Sequence, residues 1–227
     1  MKKRYTFWLC LITGLSTVFC LAANLVSGRT GFFGPWVAPM GVFFFPFIYI
    51  LSDVTSDVYG YRISRWIAWW TSLSNVLFTG LCLLIITINT PAPWSVPLDE
   101  ALKMILNTSV RVAIAGIIGA VLGGWTNDII FQMFRHKDGT EHFLKRKLVS
   151  SFGAEIVDTA TFITLAFLGT PAWGIAMYVV QFVLKYGVEV VTAPIARAFA
   201  NTLREIEGEE VFEDRNKFNI FGFEKRS

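Results

Sequence analysis

Apolar stretches of membrane-crossing length alternate along this chain with short polar ones, and the alternation predicts six helices. Thr6 to Val26 carries no charge and follows Lys2-Lys3-Arg4. It exceeds the roughly 7–15 apolar residues of a signal-peptide core, so it reads as a first helix. Trp36 to about Asp53 predicts the second helix and Ile63 to Ile88 the third, and the Pro-rich NTPAPWSVPLDEALK reads as an extramembrane loop. A fourth helix is expected over about Ser109 to Phe134, followed by the loop RHKDGTEHFLKRK. The fifth covers Leu148 to Leu168, a Gly169-Thr170-Pro171 turn follows, and the sixth runs from Trp173 to about Phe199.

Composition agrees with a bilayer as the solvent. Of 227 residues 54% are hydrophobic and only 16% charged, with 15% aromatic, which is too little charge to clothe a soluble surface of this size. The expected fold class is an all-α integral membrane protein, with residues 1–200 as one six-helix domain and 201–227 as a charged cytoplasmic tail. Of the 20 Lys and Arg residues, all but Arg29, Lys103, Arg111 and Lys185 fall on the side of the N-terminus. By the positive-inside rule both termini are then cytoplasmic, in the inner membrane. The net charge of +3 and the absence of an aromatic-and-basic pattern give no sign of nucleic acid. The expected partners are a small solute and the lipid, with a homo-oligomer left open.

Charges inside predicted spans are costly, at least about 2.5–3.5 kcal/mol at a helix centre, and so they are the informative residues. The second helix ends on Asp53 and Asp57, the fourth carries Arg111 and Asp128, the fifth Glu155 and Asp158, and the sixth Lys185 and Glu189. Asp53 and Asp57 share a helix face, as do Glu155 with Asp158 and Lys185 with Glu189, and Gln181 extends the last stripe by one turn. Bland readings stand beside each. Asp57, Arg62 and Arg65 suit an interfacial position, Lys185 with Glu189 suits an intrahelical pair, and Arg111 suits outward snorkelling. Glu155 and Asp158 have no base on their own helix.

Gly116, Gly119, Gly123 and Gly124 read first as a packing face for a neighbouring helix. Pro46 and Pro194 are positioned to kink or interrupt their helices. Trp8, Trp36, Trp94 and the WIAWW of the third helix fit interfacial aromatic belts, and Cys10, Cys20 and Cys82 fit packing roles. No catalytic constellation emerges. His136 and His142 share one loop, no metal-ligand spacing occurs, and neither HExxH, GxSxG nor a phosphate-binding glycine loop is present. An enzyme is not expected, nor is any cofactor.

Three blocks, FFFPFIYILSDVTSDVYG, RVAIAGIIGAVLGGWTNDIIFQMFR and SSFGAEIVDTATFITLAFLG, together with QFVLKYGVEVVTAPI, resemble the queuosine precursor transporters of the vitamin uptake transporter family. The resemblance extends from the first helix to the sixth. It implies a six-helix inner-membrane importer of 7-cyano-7-deazaguanine (preQ0) and its aminomethyl relative, bases used in tRNA modification. Residue by residue it carries the family's polar positions onto Asp53, Arg111, Asp128, Asp158 and Lys185. The family has an amide where this chain has Glu155. One carboxylate can accept the adjacent ring N–H and amine of a deazaguanine, a role for Glu155 or Asp158. Gln181 and Lys185 are then expected at the carbonyl or nitrile, with Phe45 stacking on the ring, and Arg111, Asp128 and Glu189 in a pathway or in ion pairs. Competing functions are a substrate-binding membrane subunit for another base or vitamin energised by a separate ATPase partner, and an intramembrane enzyme acting on lipid.

Overall fold

The computed structural model describes residues 2–88, 90–138 and 143–207. The side chains of Asp57, Asp128 and His136, residues 139–142 with His142, and the tail from residue 208 lie outside the described residues. Helix α1 spans Lys2–Ser27 and leads into an antiparallel hairpin of β1, Thr30–Phe33, and β2, Trp36–Pro39. A 3-10 turn over Met40–Phe44 then runs into α2, Phe45–Val58. Helices α3, Tyr61–Ile88, α4, Val96–Asp138, α5, Phe143–Phe167, and α6, Ile175–Glu207, follow.

Several boundaries differ from the sequence expectation. The expected loop at 135–147 narrows because 135–138 end α4 and 143–147 begin α5, and α6 runs on to Glu207. The starts of the second and fourth helices also move. Trp36 starts a strand rather than a helix, because the Gly34-Pro35 pair closes a hairpin in which Gly34 takes φ +64°, a conformation that side chains resist. Pro46 accordingly stands in the first turn of α2, where it initiates the helix instead of kinking it. Helix α4 begins at Val96, so Pro97 to Lys103 belongs to the helix and the connecting segment ends with the 3-10 turn Pro93–Ser95. The chain is a multi-pass membrane protein. Among the described residues five helices have the length and apolarity to cross a bilayer, and the shorter apolar helix Met40–Thr55 is a sixth apolar segment. At 1.5 Å per residue the 14 residues of α2 rise only about 21 Å, short of a hydrocarbon core of about 30 Å.

Neighbouring helices touch in the order α1, α3, α4, α5, α6, α2 and back to α1, which closes a ring. Apolar clusters seal it at two levels. On the side of the N-terminus, Ile12, Val54, Tyr59, Ala200 and Leu203 join α1, α2 and α6. Toward the other side, Val112, Ile163, Phe167 and Met177 join α4, α5 and α6, with Val37 of the hairpin packed on them. Between these clusters the ring encloses polar side chains.

The tightest helix pair is α4 on α5. A Cβ at Gly119 would stand 2.5 Å from Asp158 Oδ1, and one at Gly123 would stand 2.9 Å from Asp158 Cβ. Glycine is thus required at both positions for α5 to bring its carboxylate this close. The expected glycine face divides in three, since Gly116 meets no atom within 4 Å and Gly124 meets the Arg65 guanidinium of α3.

Candidate functional site

All six helices contribute to a cavity of about 460 Å³. Its centre is an ion cluster drawn from α2, α5 and α6. Lys185 of α6 is 5% exposed and reaches across to α5, where its Nζ lies 3.1 Å from Glu155 Oε2 and also contacts Asp158 Oδ2. Tyr49 of α2 donates from its hydroxyl to Glu155 Oε1 at 3.0 Å. Glu155 Oε2 is buried and meets the Lys185 ammonium as an ion pair, with no hydrogen bond of its own. Above the ammonium lies the Phe45 ring, 5.0 Å from Nζ to its centroid, with Phe45 in turn stacked on Tyr49 at 6.0 Å.

The local reason for this meeting is helical spacing. Phe45, Tyr49 and Asp53 recur at four-residue intervals on α2, so one face of that helix carries the ring, the phenol and the acid toward the cavity. Glu155 and Asp158 share a face of α5, and Lys185 and Glu189 share a face of α6. An ammonium with two carboxylates in a largely buried site is tolerable because each charge has a partner within reach.

Of the residues expected from the sequence, Glu155, Asp158, Lys185 and Phe45 come together, and Asp53 and Glu189 line the same cavity. Gln181 does not line it. It sits one turn before Lys185, fully buried, with neither its Oε1 nor its Nε2 hydrogen bonded. Arg111 is also elsewhere. Its Nε and Nη2 donate to the carbonyls of Leu165 and Leu168 at 2.8 and 2.7 Å, which satisfies the last turn of α5 and places a positive charge at that helix end. Arg111 therefore neither pairs with an acid in these contacts nor snorkels freely. Asp128 lies outside the described side chains.

Sequence reasoning passed over Tyr49, although its position four residues before Asp53 marks it as part of the same stripe. It also treated Cys20 as a packing residue. Cys20 Sγ instead lines the cavity and accepts from Asn24 Nδ2 at 3.8 Å and Asn75 Nδ2 at 3.5 Å. Arg65, expected at the interface, lines the cavity as well.

Apolar helices ringed about a polar, ion-paired chamber define a membrane protein that can house a small polar solute. The model of a family described as "Putative vitamin uptake transporter" matches residues 39–199, and the chain belongs to that family, a family of small-molecule uptake transporters. Searches of curated proteins and of solved structures each returned no match.

Proposed function

We propose that the protein imports queuosine precursors, 7-cyano-7-deazaguanine and its aminomethyl relative, across the inner membrane. The observation that carries this reading is the carboxylate pair Glu155 and Asp158, held by Lys185 and Tyr49 inside a closed ring of helices. A deazaguanine presents adjacent N–H donors, and a fixed carboxylate is their natural acceptor. Glu155 Oε2 makes an ion pair with Lys185 but no hydrogen bond, so the donors of a solute would share this oxygen with the ammonium. Phe45 and Tyr49 supply aromatic faces for a planar ring. A volume of about 460 Å³ falls in the usual range of small-molecule sites, about 300–1,000 Å³.

In this reading the chain crosses the membrane six times with both termini cytoplasmic. The second crossing is composite, made of the strand β2, the 3-10 turn and the short helix α2. Non-helical backbone at membrane depth is tolerated where protein covers it, and Ala38 and Val42 are buried. The distribution of Lys and Arg supports the orientation.

The test is uptake of labelled 7-cyano-7-deazaguanine by bacteria that lack both its synthesis and their own importer, with queuosine in tRNA as the readout. Restored queuosine is expected. Protein present in the membrane without restoration would send the search to other nitrogenous bases and vitamins.

A further inference from the structure

The cavity has a second polar wall, opposite the charged one. In the helix ring α1 and α3 stand across from α5 and α6, and apart from the Arg65 guanidinium near the start of α3 their polar contribution is uncharged: Cys20, Asn24 and Ser27 from α1, and Ser64, Ser72 and Asn75 from α3. Asn75 is 2% exposed, and it and Asn24 both aim an amide N–H at the Cys20 sulfur. A thiol is a weak acceptor, so two good donors are committed to a poor partner. A stronger acceptor entering the cavity would take them over with little rearrangement.

We infer that the Asn24, Asn75 and Cys20 cluster is a second binding pole, one that receives an uncharged hydrogen-bond acceptor at the far end of the solute and discriminates against a cation. The charge argument is direct. An ammonium leaving water needs a counter-charge, and this wall offers amide, hydroxyl and thiol groups and the Arg65 guanidinium but no carboxylate. A nitrile nitrogen or a carbonyl oxygen needs only donors, which Asn24 and Asn75 provide. The inference rests on the proposed function for the identity of the solute, and it adds a preference: the cyano base over the aminomethyl base. In a deazaguanine held by its amine edge, the seven-substituent is on the opposite side of the ring system and so faces this wall.

The experiment is competition against labelled 7-cyano-7-deazaguanine by the aminomethyl base and by the base without a substituent, in wild type, Asn75→Leu and Asn75→Asp. Wild type should favour the cyano base. Asn75→Leu should weaken it about tenfold, as for a lost buried hydrogen bond, while the unsubstituted base is little affected. Asn75→Asp should shift the preference toward the aminomethyl base. Unchanged ratios in both variants, with protein folded by gel filtration, would overturn the inference while leaving the import reading intact.

A second arm needs no substrate. In a Cys10→Ser, Cys82→Ser background, Cys20 is labelled with the neutral methyl methanethiosulfonate and with its cationic aminoethyl counterpart. Asn75→Asp should raise the cationic rate relative to the neutral one several-fold. An unaltered ratio overturns the uncharged pole. Absent uptake with an altered ratio overturns the substrate reading and retains the pole.

Discussion

The Tyr49 hydroxyl donates to Glu155 Oε1 at 3.0 Å, tying the short helix α2 to α5 across 106 positions of sequence. This bond fixes one carboxylate oxygen and leaves the other facing Lys185. Replacing Tyr49 with Phe keeps the ring and its stacking on Phe45 but removes the donor. The expected cost is about 1 kcal/mol in solute affinity, roughly a five- to tenfold rise in KM for uptake, with the melting temperature in detergent little changed. An equal fall in expression and melting temperature would show instead that the bond serves the fold.

Lys185 serves two carboxylates, so its removal is expected to be worse than removal of either acid. Lys185→Ala leaves Glu155 and Asp158 facing each other without a cation. For a buried ion pair the broken partner costs about 3–5 kcal/mol, which should appear as a large loss of folded protein. Adding Asp158→Asn to Lys185→Ala removes part of the bare charge and should recover folding without recovering uptake. Thermal melts of the single and double variants, measured side by side, check the ordering.

Gly119 and Gly116 make a matched pair for the packing argument. Alanine at Gly119 places its Cβ against the Asp158 carboxylate and backbone, while alanine at Gly116 meets open space. Gly119→Ala should lower stability by about 1–3 kcal/mol, as overpacking does, and Gly116→Ala should melt like the wild type. Size-exclusion profiles after graded heating distinguish the two.

Asp53 ends the cavity face of α2 that begins with Phe45. Asp53→Ala is expected to lower uptake while the protein still inserts in normal amount. Normal uptake by a well-expressed variant removes Asp53 from the solute path.

How much of this was legible in the sequence follows from what each signal measures. Apolar length located α1, α3, α5 and α6 because the bilayer imposes a minimum span, and charge cost singled out Glu155, Asp158 and Lys185. The hairpin of β1 and β2 stayed hidden because Trp36 to Pro39 is as apolar as the helix it precedes, and apolar runs do not distinguish a buried strand from a buried helix. The start of α4 was obscured by Pro93 and Pro97, which sit where helices begin as readily as where they are forbidden. The neutral cluster at Asn24 and Asn75 carried no signal at all, since lone amides in a long apolar helix share no spacing until the fold brings α1 beside α3.

Arg111 supplies the sharpest contrast between position and role. It stands among helix-four residues that the family resemblance carries over, yet its guanidinium is spent on the carbonyls of Leu165 and Leu168 at the end of α5. Arg111→Ala leaves those carbonyls unpaired and is expected to cost about 1–3 kcal/mol of stability. Among proteins that reach the membrane, KM for uptake should stay within about twofold, because the cavity wall is untouched and distant substitutions act additively. Arg111→Lys should recover only part of the stability, since an ammonium cannot reproduce the two forked donors. A KM raised tenfold with normal melting would return Arg111 to the solute path.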